Sequence, residues 1–368
     1  MKTLSPFAKL PIYERKAMTA DVAFTHELVR SIEQHEKRAA LIHGALPLIS
    51  MVIVESHDLF KRSNVRVEQL LGTDAIAMVR PSRHRVKLLD NKERSIEEVA
   101  SKFEDIIRHH RAYYFALAQK TRSGQFHQSD IDDTGLFFYN GHLFSTSHIA
   151  SYNLDAVTVE NAFERSASEN WFDPGQYIGQ LGDRLISRKK LARLSPPALP
   201  GDVRDMDSKS DVVYGRGLIG KFGRHAASLI TVLAQVNFVH FALRDLATIN
   251  PESYFKFKFI TAHHAFSSLD SLNASQYKDG SPSVQEFLRS IAAIEDAKWY
   301  KSKSAVRNYL VHYSLDQSTG HAVLDRDNHL QIIKSLAKRP FDDLESMVDR
   351  QLQQLSYILE ESLELKYA

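Results

Sequence analysis

Apolar residues recur at helical spacing along most of the chain. Over residues 21–60 the pattern holds at Val22, Val29, Ile32, Ala39 and Ile42, predicting a long helical region that Pro47 bends or divides. Ser95-Ile96-Glu97-Glu98 reads as a capping box, and the helix it opens carries Ile96, Val99, Phe103, Ile106 and Leu117 inward. The period then changes. Phe137-Phe138-Tyr139-Asn140-Gly141-His142-Leu143-Phe144 predicts a hairpin, with Asn-Gly supplying the two positive-φ residues of its turn. Asp173-Pro174 predicts another helix start, and the basic residues Arg184, Arg188, Lys189, Lys190 and Arg193 suit that helix's C-terminus.

Ser195-Pro196-Pro197-Ala198-Leu199-Pro200-Gly201 excludes regular structure, and polar residues follow it to Asp211. This composition predicts an N-terminal helical domain over 1–195, a linker over 196–211 and a second domain over 212–368. Four long helices are expected in the second. They run over 218–248, from Asn250-Pro251-Glu252 onward, from Ser283-Val284-Gln285-Glu286 through His312 with a break, and over 341–365. In the last, Leu344, Val348, Leu352, Leu355, Leu359 and Leu363 keep helical spacing, while residues 321–332 alternate like a short hairpin. Short connections favour an antiparallel bundle. The expected fold class is therefore mainly α, with a small β-hairpin in the N-terminal domain and a four-helix bundle at the C-terminus.

Composition narrows the chemistry. Of 368 residues, 43% are hydrophobic and 25% charged, with a formal charge of +2, so any basic surface must be local. There is no cysteine, which removes disulfides, thiolate metal sites and cysteine nucleophiles. The start lacks a signal-peptide core, and the apolar run at 45–54 is broken by Pro47 and too short to span a bilayer. These features predict a soluble cytoplasmic protein without membrane contact.

Three motifs compete. Gly215-Arg216-Gly217-Leu218-Ile219-Gly220 matches the dinucleotide fingerprint after a strand-like Asp211-Val212-Val213-Tyr214, but no βαβ repeat follows. A glycine-rich hinge entering a helix is the better reading, with a nucleotide site as the alternative. The histidines form no HExxH pattern, and neither a metal nor a cofactor is expected. Arg80-Pro81-Ser82-Arg83-His84-Arg85-Val86-Lys87 fits a loop or short strand. It is either a solvated face or a phosphate-tracking patch that makes Arg80, Arg83, Arg85 and Lys87 candidate RNA contacts.

The third is Arg307-Asn308-Tyr309-Leu310-Val311-His312. An arginine followed by a histidine at such spacing occurs four times in the chain, so spacing alone decides nothing. Here Asn308 directly follows the arginine, and the motif falls on the third helix of the expected bundle. With those residues, the region from Ser210 to Ala368 resembles the HEPN superfamily of helical ribonuclease domains. The resemblance implies catalytic roles for Arg307 and His312, an assisting Asn308, cleavage of RNA without metal, and pairing of two motif helices across a homodimer. Tyr313 departs from the small residue common after the histidine and becomes a candidate RNA contact in a narrowed cleft. HEPN nucleases often act as toxins or in antiphage defence, which makes that setting an expectation here.

The chemistry suits the residues. RNA carries its own nucleophile in the 2′-hydroxyl, so a proton acceptor, a proton donor and charge stabilisation suffice. Imidazole titrates near neutrality and guanidinium matches two phosphate oxygens. Arg307 and His312 diverge by about 140° on an ideal helix, so two copies are expected to meet at one phosphate. The rival expectation is a non-catalytic HEPN-like module that docks RNA or protein on the same face.

Overall fold

In the computed structural model the described residues are 6–65, 74–87, 95–121, 127, 130–161, 168–186, 199–276, 281–294, 297–314 and 329–364. Among these residues the chain is mainly helical, as the periodicity predicts, and the expected hairpin is part of one small three-stranded sheet. The first long helical region divides into α1 (Ile12–Gln34) and α2 (Arg38–Arg62). The break falls at His35, whose backbone turns extended (φ −84°, ψ 137°), and not at Pro47, which lies inside α2. There the His35 ring accepts the Lys37 N–H at 2.9 Å, so a side chain substitutes for the lost helical bond.

Next come α3 (Asp74–Arg85) and α4 (Ile96–Thr121). The capping box is formed: Glu98 accepts the Ser95 N–H at 2.7 Å, and Ser95 accepts the Glu98 N–H at 3.2 Å. The segment expected as a loop or strand at 80–87 is instead mostly the C-terminal half of α3, with Pro81 inside the helix. β1 (Thr134–Tyr139) and β2 (His142–Thr146) make the hairpin, with Asn140 and Gly141 at φ 50° and 86°. The short α5 (Ser147–Asn153) follows, capped by the Thr146 hydroxyl, which accepts the Ile149 N–H at 3.1 Å. Helix α6 (Ser168–Leu185) begins six residues before Pro174, earlier than the proline predicts. The basic residues 188–193 lie outside the described residues.

The stretch expected as a linker contributes β3 (Val203–Ser208), which pairs antiparallel with β1 from Thr134↔Ser208 to Tyr139↔Val203. The sheet order is β2-β1-β3. Backbone pairing makes this strand; its side chains are mostly exposed and polar, so no alternation announced it.

Residues 211–214 form part of a helix, α7 (Ser210–Gly215), and not a strand. A 3₁₀ segment (Ile219–His225) leads into α8 (Ala226–Asn237), which widens into a π-helical turn (Phe238–Ala242) and tightens again through Leu243–Leu246. Then come α9 (Pro251–Gln276), α10 (Pro282–Ala292), a 3₁₀ segment (Ala297–Lys303), α11 (Ser304–His312), α12 (His329–Ala337) and α13 (Phe341–Leu363). Asn250 caps α9, accepting the Ser253 N–H at 2.9 Å. Residues 329–332, part of the expected second hairpin, are helical; 321–328 lie outside the described residues.

One continuous hydrophobic core runs from Phe7 to Leu359. Helices α8, α9 and α13 pack on one another, α10 and α11 pack on α9, and α1 and α2 reach across to α9 and α11. Close approach is needed where α2 meets the π-helical turn: a Cβ at Gly44 would stand 2.4 Å from the Phe238 ring. Two stretches, Arg38–Arg62 and Ile219–Leu246, are long and apolar enough to cross a membrane, although the 45–54 run alone is not. Buried over 83% and 94% of their apolar windows, they form the centre of this core.

Candidate functional site

Helix α11 is gripped from beneath. Val306, Tyr309, Leu310 and Val311 are buried, whereas Ser304, Ala305 and Asn308 are exposed and Arg307 and His312 half-buried. On an ideal helix Asn308 lies between Arg307 and His312, so the three share one solvent-facing arc. The helix ends at Tyr313, which adopts left-handed backbone (φ 55°) and bonds its N–H to Tyr309 O at 3.0 Å.

A β-carbon in that conformation costs roughly 1–2 kcal/mol, and the buried ring offsets it. Lys256 Nζ stands 4.1 Å from the Tyr313 ring centroid and 2.5 Å from Asp21 Oδ2, while Ser253 Oγ donates to Asp21 Oδ1 at 2.7 Å. Burial and the nearby Asp21 carboxylate push the Tyr313 phenol well above its ordinary range. Tyr313 is 1% exposed and therefore closed to the RNA contact expected of it.

His312 meets an unexpected partner. Its Nδ1 lies 2.7 Å from Oε2 of Glu55, a carboxylate on α2 only 3% exposed. The other oxygen of Glu55 accepts from Arg83, with Nε at 2.8 Å and a second, shorter bond from the same guanidinium. Burial alone would raise the Glu55 pKa, but His312 and Arg83 together hold it below the usual carboxylate value. Arg62, at the end of α2, donates to the His312 carbonyl oxygen. The ring is thus held by Glu55, while Asn308 stands exposed beside it on the helix. Facing a carboxylate, Nδ1 is the donor of this bond, and Nε2 makes no hydrogen bond among the described residues.

The 80–87 segment divides the same way. Arg83 is bound to Glu55, and Arg85, 3% exposed, donates to Tyr152 O at 3.1 Å and to Asp155 Oδ1 at 2.8 Å. Both are interior ion-pair residues and present nothing to a polyanion. Arg80 is exposed, 3.9 Å from Asp58, and Lys87 is half-buried, just beyond α3.

The glycine motif loses its required strand, since a helix precedes it. Two of its three glycines serve packing: a Cβ at Gly217 (φ 54°) would sit 2.9 Å from Ser362 O, and one at Gly220 2.2 Å from Gly215 O. Gly217→Ala is accordingly expected to cost about 1–3 kcal/mol, read as a lower unfolding midpoint. An unchanged midpoint would remove this packing account.

Glu55 was legible in one respect. It is a carboxylate set directly after the apolar run Met51-Val52-Ile53-Val54 on a helix that must be buried, and such a charge demands a partner. Nothing in the pattern said that the partner lies 257 residues away. Comparison of the chain with protein-family models, with curated proteins and with solved structures finds no match in any of the three.

Proposed function

We propose that the protein is a metal-independent endoribonuclease acting as a homodimer, with His312 and Arg307 of each copy around one phosphodiester. The observation that carries the reading is the Glu55–His312 bond, which sets the ring's tautomer and leaves Nε2 as a base toward solvent. In this mechanism Nε2 takes the proton of the ribose 2′-hydroxyl, and the 2′-oxygen attacks phosphorus. The 5′-oxygen leaves with a proton from the imidazolium of the second copy, yielding a 2′,3′-cyclic phosphate and a 5′-hydroxyl. Arg307 holds the non-bridging oxygens as charge builds on them, and exposed Asn308 contacts the adjoining ribose or phosphate. Together with the HEPN resemblance, this favours a cytoplasmic effector of the toxin or antiphage kind.

The test is incubation with total RNA in excess EDTA. Wild type is expected to cleave and leave cyclic phosphate ends, and His312→Ala to lose about 10²–10⁴ in rate with its fold intact. Cleavage that EDTA abolishes, or that survives in His312→Ala, would overturn the proposal.

A further inference from the structure

With Arg83 and Arg85 taken into the interior, a polyanion needs another surface, and the far end of the motif helix has one. Helix α12 turns Gln331, Lys334 and Ser335 outward, and Lys338, just past its end, is exposed beside them. At Lys338 the backbone goes left-handed (φ 57°), its N–H bonding to Lys334 O at 2.9 Å, and the chain doubles back so that Arg339 and Pro340 close an open groove. The Arg339 guanidinium lies 5.2 Å from the Trp299 ring centroid, and Lys303 Nζ lies 5.3 Å from the same ring. Lys303 immediately precedes α11, so Trp299 joins the groove to the start of the motif helix.

We infer that this groove, with Lys334, Lys338 and Arg339 along it and Lys303 beside the adjoining Trp299, binds the phosphate backbone of single-stranded RNA flanking the cleavage point. The inference rests on the ribonuclease reading for its choice of polyanion. Ammonium groups one helical turn apart match successive phosphates, while Ser335 and Gln331 offer hydrogen bonds to phosphate or ribose hydroxyls. Among the described residues, neither Lys334 nor Lys338 has an acidic partner within ion-pair distance. Of the acids that follow, Glu345 and Asp349 bind Lys258, while Asp342 and Asp343 stand exposed in the first turn of α13, where the helix dipole favours them. A single strand is required because 2′-hydroxyl attack needs the 2′-oxygen, phosphorus and 5′-oxygen in line, an arrangement that A-form pairing prevents. Lys303 and His312 are separated by the length of α11, roughly 14 Å at 1.5 Å per residue. The groove therefore holds neighbouring nucleotides, not the scissile one.

The experiment measures binding of labelled single-stranded RNA to the full-length His312→Ala protein over a range of salt, with and without Lys334→Gln and Lys338→Gln. Both lysines are exposed, so the fold is expected to persist, checked by circular dichroism. The double change is expected to weaken binding at least about tenfold and to flatten the slope of log affinity against log salt by about 1.4, near 0.7 per lost contact. An unchanged affinity and slope would overturn the groove. So would lysine-dependent binding to phosphatidylserine vesicles without RNA binding, which would assign the patch to a lipid surface. RNA bound through the lysines, with no cleavage by wild type, would remove the nuclease and keep the groove. Cleavage intact alongside lysine-independent binding would do the reverse.

Discussion

Acidification from pH 6.5 toward 4 is expected to unfold this protein. Burial lowers the pKa of His43, His110 and His240 to about 4 and drives that of His148 well below its ordinary value. An imidazole kept neutral inside binds its proton only after the unfolded chain has done so. The unfolded state therefore gains protons over the native state throughout the interval between the two pKa values. Each such proton is worth about 1.4 kcal/mol per pH unit, so four histidines give a slope of up to about 5 kcal/mol per unit. That matches the whole stability of many domains within one or two units.

Contacts sharpen the expectation. His110 and His148 pack ring to ring with centroids 4.7 Å apart, so charging one opposes charging the other. His148 Nδ1 is tied to the Tyr214 hydroxyl at 3.0 Å and His110 Nε2 to Ser151 Oγ at 3.0 Å, and the second nitrogen of His110 is buried without a hydrogen-bond partner. Asp133 and Glu160 near His110, and Asp349 near His240, pull in the other direction but do not outweigh burial. Denaturant titrations at stepped pH measure the slope directly. His43→Gln should remove about a quarter of it. A stability that stays flat from pH 7 to 4.5 would contradict the account.

What was legible beforehand follows from where each signal lives. Local chemistry was legible: the Asn140-Gly141 turn, the Ser95–Glu98 box, the Asn250 cap and the leucine spacing of α13 are decided within a few residues. Elements defined by distant backbone were not. β3 exists because β1 offers it an edge, and Val203-Arg204-Asp205-Met206-Asp207-Ser208 carries no apolar alternation. Asp211-Val212-Val213-Tyr214 looks like a strand from its β-branched residues, yet packing makes it helical. The motif helix was found at its C-terminus, His312, but the position of its break, after Ala292 and before Ser304, was not placed. The site followed the same rule: Arg307, Asn308 and His312 were named from a short motif and its place on the third expected helix, whereas Glu55 and Arg83 needed α2, α3 and α11 in one place. A carboxylate serving both a buried guanidinium and a candidate catalytic ring is tertiary information.

That shared carboxylate sets the last expectation. Glu55→Ala leaves the Arg83 guanidinium, its side chain 10% exposed, without its counter-charge, and breaking a buried pair costs about 3–5 kcal/mol. The loss should be strongest above pH 4.5. Glu55 has a folded pKa below its unfolded one, so its contribution is fully present above the unfolded value and disappears as pH falls through the folded value. Glu14 and Glu252, whose pKa values burial raises, work oppositely and gain as they protonate. The wild-type curve minus the mutant curve isolates Glu55 from both. Glu55→Gln separates fold from chemistry, since the amide retains shape and an acceptor for Arg83 but offers Nδ1 a donor. The ring is then expected to switch to the tautomer protonated on Nε2, visible in the ¹⁵N shifts of His312. Because that nitrogen is the proposed base, cleavage should fall by about 10²–10⁴ in kcat with little change in KM. If the tautomer switches and cleavage does not fall, His312 Nε2 is not the proton acceptor and the proposed chemistry must be abandoned.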